Sequence, residues 1–398
     1  MTTSHHVAAP ATEISLRELL IPREEVPDEA DLLSGRVIAK IGFSDGQIEF
    51  RDDPATNTDM IVVQPGDLII SGINAHQGAI ALYDGDLPAV ATIHYSAYAI
   101  RRERVQPRLL WYLLRSEVFK ERLNRALPGG IKTELTSDRL LRVSVPLPDE
   151  QVQPLMLARL DALTAKVERV RVLRAATTLA LPRVMLAALE EVFRRFTETQ
   201  PWESVIIFKP RSGPSFRTSP DWDGTTVLMP SAVTGFGIGT SRVEYGLGDE
   251  VVSDKDRLEP GDIIIARGNK ADQVGNAGVV PEEARGWVAA NLLMRIRVDP
   301  QRADPHFCIY WLRSPRMREH VKRVMKGTNP NIQKINQRAI LAFPFPAGLD
   351  VGEQQRIVSY LDSVQGKVDR INALQDETAT EVKMLSPSIL AAAFSARL

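Results

Sequence analysis

FPFPAGLDVGEQQRIVSYLD, residues 343–362, carries two prolines at the end of an apolar run, then an acidic cap and a helical pattern. A relative of it, VPLPDEQVQPLMLARLD, occupies residues 145–161. Pro344 and Pro346 cannot donate ladder hydrogen bonds, so a strand there ends or lies at a sheet edge. Asp350, with Glu353 three residues on, fits a capping box that accepts from the first helical N–H groups. Ile357, Leu361, Val364, Val368 and Ile371 then recur at steps of four and three, and Leu160, Leu163, Val167 and Val170 repeat that rhythm in the first copy. The rhythm is the seam of a coiled coil. Each helix is expected to run about 30 residues and ~45–50 Å, longer than one small domain needs for cover.

The two stretches belong to a repeat of the whole chain. Pro22-Arg23 lines up with Pro210-Arg211, QPGDLII (64–70) with EPGDIII (259–265), and LLRS (113–116) with WLRS (311–314). Gly130-Ile131-Lys132 faces Asn331-Ile332-Gln333, Glu150-Gln151 faces Glu353-Gln354, and Pro182 faces Pro387. The order is kept while the offset grows in small steps, as short loop insertions would produce. Each half opens with short apolar runs broken by Gly, Pro, Asn and Asp, and in each a Pro-Gly-Asp turn feeds a buried strand. The fold expected is mixed α/β: two similar domains with a pseudo-two-fold internal repeat, separated by two long helices that pair as an antiparallel coiled coil. Its segments are a domain over 1–148, a helix over 149–199, a domain over 200–346 and a helix over 347–398.

The 398 residues are 44% hydrophobic and 25% charged, the composition of an ordinary soluble protein. The single cysteine, Cys308, excludes an intramolecular disulfide framework and a cysteine zinc cluster. No apolar run approaches the roughly eighteen residues a membrane span needs, and MTTSHHVAAP lacks the form of a signal peptide. A cytoplasmic protein with no membrane partner is expected. Formal net charge is −1, yet the charge is unevenly placed. Residues 313–338 hold eight basic side chains against Glu319 alone, and residues 101–139 hold ten basic against five acidic. Two basic segments at corresponding places say more than the total.

No catalytic constellation is found. GFGIG (235–239) has no helical pattern after it, as a nucleotide loop requires. Glu381-Val382-Lys383 has the spacing of a nuclease motif but falls within the second long helix, where a solvated surface accounts for it. The histidines outside the N-terminal pair show no metal-ligand spacing, and GxSxG elbows and P-loops are absent. No catalytic residue, metal or cofactor is therefore assigned to this chain.

Binding chemistry is present instead. After the Pro-Gly-Asp strands come SGINAHQG (71–78) and ARGNKADQVG (266–275). Asn74, His76 and Gln77 in the first, with Arg267, Asn269, Lys270 and Gln273 in the second, can meet base edges or phosphates. Lys132 and Thr133, and in KGTNPNIQK (326–334) Lys326, Thr328, Asn329, Asn331, Gln333 and Lys334, add small polar and basic groups. These groups suit base-edge and phosphate contact.

Taken together, VQPGDLII, GGIKTELTSDRLLRVSVPLPDEQ and LPRVMLAAL, then LEPGDIII, GTNPNIQKINQRAILAFPFP, EQQRIVSYLD and SPSILAAAF, resemble the specificity subunit of type I restriction–modification enzymes. The resemblance covers nearly the whole chain. It implies double-stranded DNA as the ligand, and two target recognition domains, each reading half of an asymmetric, interrupted DNA sequence. It implies long helices that set the spacing and dock methyltransferase subunits, and a translocating nuclease subunit that joins for restriction. S-adenosylmethionine, ATP and Mg would then sit on those partners, and this chain would be non-catalytic. Gly-Gly-Ile-Lys in the first half departs from Asn-Pro-Asn-Ile-Gln-Lys in the second. Two other readings stay open on the residues: a self-contained DNA methyltransferase or nuclease, and a protein-interaction scaffold.

Overall fold

The computed structural model describes the chain apart from residues 1–10, 30, 32–35, 52–57, 127–134, 216, 222, 235–236, 247–251, 328–332 and 396–398. The chain divides into two compact units, Met1–Arg174 with Glu377–Leu398, and Ala175–Asp376. Among the described residues the α-helices are α1 (Pro107–Leu114), α2 (Glu117–Ala126), α3 (Ser137–Leu141), α4 (Gln153–Phe193), α5 (Pro305–Arg313), α6 (Pro315–Val324), α7 (Gln337–Leu341) and α8 (Val351–Phe394). The division falls inside α4 and α8, so each unit holds a part of both.

In unit 1, Leu20–Pro22, Tyr95–Ile100, Leu68–Ser71 and Ile80–Leu82 form an antiparallel sheet in that order. The Pro-Gly-Asp turn feeds its strand as expected. Gly66 takes a φ of 88°, which a side chain would oppose, and Leu68 and Ile69 are wholly buried. A second sheet orders Ile48–Arg51, Val37–Ile41, Ala89–Thr92 and Met60–Val63, its middle pair parallel.

Unit 2 builds the first sheet again from Ile206–Ser212, Leu293–Val298, Ile263–Ala266 and Ala277–Val279. Its second sheet orders Thr218–Ser219, Val243–Gly246, Thr226–Leu228 and Val288–Ala289, with the parallel pair at one end. Three strands of this sheet correspond between the units, and the fourth joins on opposite edges. The Pro-x-Pro strands sit where proline is tolerated, in two-stranded sheets: Ser144–Pro148 with Ala11–Ser15, and Pro344–Pro346 with Thr199–Pro201. In each unit the first sheet and both helix parts share one core, and the second sheet packs in a core of its own. Leu68, Leu109 and Phe119 pack with Leu160 of α4 and Leu390 and Phe394 of α8. In unit 2, Trp202, Ile263 and Trp311 pack with Phe193 of α4 and Ile357 and Leu361 of α8.

The helices depart from the sequence reading in three ways. They are longer, 41 residues for α4 and 44 for α8, because both continue through a proline, Pro182 and Pro387. At ~1.5 Å per residue they reach about 60–65 Å. Second, α8 begins on the expected cap, Glu353 N donating to Asp350 Oδ1 at 2.7 Å, but the match of Glu150-Gln151 to Glu353-Gln354 is two residues off. The glutamines in equivalent surroundings are Gln153 and Gln354, both buried, because residues 149–152 form a turn before α4 starts. Pro154 follows in the first helical turn, where its missing N–H costs nothing.

Third, the apolar seam is discontinuous. Leu160, Val167, Ile357, Leu361 and Val368 are buried and Leu163 and Val364 half-buried, while Val170 and Ile371 are 39% and 38% exposed. Polar contacts take over there. In unit 1 Arg171 donates to Ser386 Oγ at 3.2 Å and Arg174 to Thr378 Oγ1 at 2.7 Å. In unit 2 Thr178 Oγ1 meets Gln375 Oε1 at 2.8 Å, and Arg195 faces Glu353 at 3.7 Å. Within each unit the two helix parts therefore run antiparallel. Contrary to the sequence reading, an 18-residue stretch within α4 (Gln153–Phe193), with mean hydropathy 1.5, is long and apolar enough to cross a membrane by length and composition alone. Arg174 and Arg183 interrupt that run in the sequence.

Candidate nucleic-acid interface

In unit 2 the two candidate segments are stitched together by backbone. Gly268 pairs with Lys334 and Asn269 with Gln333 in a short antiparallel ladder, and Lys326 exchanges two 2.9 Å bonds with Lys334. Ile335 N donates to Arg267 O at 2.8 Å. Loop 266–275 and residues 326–327 and 333–334, some sixty residues apart in the chain, thus make one surface. Lys270, Lys326 and Lys334 are exposed on it, and none has a carboxylate within ion-pair distance among the described residues. Asn269 Oδ1 accepts from Lys270 N at 2.9 Å, and Gln333 Nε2 donates to Gly327 O at 3.1 Å. Gln273 is half-buried, its N–H on Lys270 O. Thr328, Asn329 and Asn331 lie outside the described residues.

Several arginines that composition offers to phosphate are held inside the protein. Arg267 donates to Ser212 Oγ at 2.8 Å, and its Nε is buried. Arg318 of α6 donates to Val274 O at 2.9 Å and Asp272 O at 2.7 Å, gripping the loop from below. Arg313 donates to Ala277 O at 2.8 Å, and burial, with Arg318 nearby, pushes its pKa down to about 10. The basic run in 313–338 is therefore split. Part of it braces the loop, and Lys322 and Arg323 join the three lysines in facing solvent.

Unit 1 repeats one bond of this stitch among its described residues. Leu135 N donates to Gly72 O at 2.9 Å, the counterpart of Ile335 to Arg267. Residues 131–134, with Lys132 and Thr133, lie outside the described residues, directly before this bond. Asn74 is half-buried and its N–H meets Ser71 Oγ at 3.1 Å. A short 3-10 turn, Ala75–Gln77, carries His76 and Gln77, whose side chains lie 3.3 Å apart. Gly78 closes the turn at a φ of 99°, and a Cβ there would stand 2.7 Å from Phe43 O. Arg115 holds the same turn of residues 42–46 through Asp45 O at 2.9 Å, its pKa lowered to about 10 by burial. It stacks on Trp111 with its guanidinium 4.6 Å from the ring centre.

Two residues the sequence reading missed are Ile73 and Ile93, 53% and 51% exposed beside the loop's polar groups. Gly72 N donates to His94 O at 2.8 Å, which brings their two turns together. Their apolar character signalled core, and only the turn geometry places them outside. In unit 2 the corresponding bond, Arg267 N to Leu292 O, is flanked by Gly268 and Asn291 instead. The GFGIG segment does not have the setting of a phosphate loop: Gly237–Ile238 is a strand paired with Val233–Thr234, and among the described residues the next regular element is the strand Val243–Gly246.

The crystal structure of the HsdS subunit from Thermoanaerobacter tengcongensis covers 98% of this chain and 97% of its own, with a TM-score of 0.66 at 23% identity. The fold is that of an HsdS subunit. A chain from a structural study of complex assembly and conformational transition of the type I R-M system agrees, with a TM-score of 0.69, 22% identity and 98% of each chain covered. The curated type I restriction enzyme MjaVIII specificity subunit of Methanocaldococcus jannaschii is 31% identical over 87 residues, 22% of this chain. That match spans a fifth of the relative's length. No protein-family model matches. The HsdS fold agrees with the mixed α/β architecture with long helices expected from the internal repeat.

Proposed function

We propose that this chain is the non-catalytic DNA-specificity subunit of a type I restriction–modification complex, each unit reading one half of a bipartite, asymmetric site. The observation that carries the reading is the loop after each Pro-Gly-Asp strand, bonded to a distant segment on one sheet topology with different side chains in each unit. Same frame with different contacts is what two unlike half-sites require. The three solvent-facing lysines supply phosphate contact, which fixes register and makes affinity salt-dependent. In unit 1, Asn74 and Gln77 suit adenine edges and Ile73 the methyl group of thymine.

In this reading α4 and α8 set the gap between half-sites and dock the methyltransferase subunits, with the nuclease subunit joining the assembly. S-adenosylmethionine, ATP and Mg belong to those partners. Sequencing the methylated bases of a host with and without this chain tests the reading: one bipartite adenine-methylated motif should vanish with the chain. Turnover by the purified chain alone with S-adenosylmethionine or Mg would replace it with an enzyme. Binding by the assembled complex that ignores DNA sequence would favour a scaffold.

A further inference from the structure

Each long helix leaves its sheets through the same set of bonds. In unit 1 the carboxamide of Gln153, in the first turn of α4, accepts from Gln106 N at 3.1 Å and donates to Pro148 O at 3.1 Å and Arg104 O at 3.5 Å. In unit 2 Gln354 accepts from Asp304 N at 2.9 Å and donates to Leu349 O at 3.2 Å and Arg302 O at 3.0 Å. The two side chains are 3% and 0% exposed. Eight residues further along each helix stands an aspartate. Asp161 accepts from Tyr112 OH at 2.8 Å, and Asp362 from Tyr310 OH at 2.5 Å.

The bonds join equivalent places. Gln106 and Asp304 are the residues before α1 and α5, and Tyr112 and Tyr310 lie within those short helices. A single attachment is a pivot. Two attachments some 12 Å apart along a helix, eight residues at ~1.5 Å, fix a direction. A buried carboxamide with both ends engaged adds rigidity, because losing a partner would strand a desolvated polar group. The same four bonds recur in both units, while the reading loops around them differ, so the joint serves something common to both halves.

We propose that Gln153 with Asp161, and Gln354 with Asp362, are positioning residues that fix the direction in which each long helix leaves its sheets, and through it the half-site gap that the complex accepts. The proposal rests on the reading of the chain as a bipartite DNA-specificity subunit.

The test uses the full chain in its methyltransferase complex and a set of DNAs with both half-sites intact and the gap varied by single base pairs. The unaltered complex should prefer one gap by about tenfold or more over its neighbours. Gln354→Leu with Tyr310→Phe should bring the neighbouring gaps to within about threefold, while single-base changes inside a half-site cost what they did before. Asp362→Asn keeps the acceptor for Tyr310 and should keep the narrow preference. If the double variant does not fold, Tyr310→Phe alone removes one hydroxyl and should broaden the preference in the same direction. A folded variant with an unchanged gap profile overturns the proposal. So does an equal loss of affinity at every gap, which is what a merely structural role gives. Absence of any bipartite specificity in the unaltered complex would instead sink the functional reading beneath it.

Discussion

Asp262 shows how much of this protein's chemistry is turned inward. It is fully buried, accepts from Glu259 N at 2.9 Å, and pairs with Arg295 at 3.0 Å and Arg297 at 2.7 Å. Its counterpart Asp67 pairs with one guanidinium, that of Arg23, which is about one-third exposed. Removing a partner from a buried pair leaves a desolvated charge, so Asp262→Ala should cost about 3–5 kcal/mol. Asp67→Ala, leaving one partly hydrated cation, should cost less. Chemical denaturation of the two variants compares them, and equal losses would defeat the argument. The outward-facing residues make the opposite prediction. Lys270→Ala or Lys334→Ala should leave stability within about 0.5 kcal/mol and weaken DNA binding evenly across sequences. Each should lower the slope of log affinity against log salt by about one. A change in sequence preference without a change in slope would take these lysines off the phosphates. Residue type was legible in the sequence, but direction was not. Lys270 and Arg318 look alike as letters, and only the fold puts Arg318 on Val274 O and Asp272 O while Lys270 faces solvent.

At the scale of elements, what the sequence showed depended on how local the cause was. The cap of α8 was legible because Asp350 and Glu353 are three residues apart and need nothing else. The Pro-Gly-Asp turns were legible because the glycine's positive φ is a local demand, met at 88° and 86°. The start of α4 misled, since Asp149 and Glu150 imitate a cap that the following turn uses up. The ladder joining Gly268–Asn269 to Gln333–Lys334 has no local signature at all, being a pairing across some sixty residues. The seam was legible in period and not in extent: a heptad rhythm gives the face a residue occupies, while burial depends on what the other helix brings to that level. Leu361 is fully buried and Ile371 is 38% exposed on the same stripe. Leu361→Ala should therefore cost about 2–5 kcal/mol, and Ile371→Ala less than about 1. Thermal unfolding of the two variants separates them. Comparable losses would mean the seam is covered along its whole length.

For the whole molecule, the proposed spacing role makes α4 and α8 a matched pair, and the match can be broken in two distinguishable ways. Within unit 1 the pair is registered by Arg171 with Ser386 and Arg174 with Thr378, and within unit 2 by Thr178 with Gln375. Seven residues make nearly two helical turns, so removing a heptad returns each stripe to almost the same face, about 20° off. Removing one heptad from both helices at the same level keeps those bonds facing and shortens each by about 10.5 Å, or roughly three base-pair steps. Methylated-base sequencing of a host carrying that variant should find the same two half-sites with a gap about three base pairs shorter. Removing a heptad from α4 alone leaves Arg171 and Arg174 facing the wrong level of α8. That variant should lose stability and methylation together, with no new gap appearing. If the single deletion merely shortens the gap, the helices are not registered against each other. If the double deletion leaves the gap unchanged at full activity, the distance between half-sites is set elsewhere, and the length of α4 and α8 serves partner docking alone.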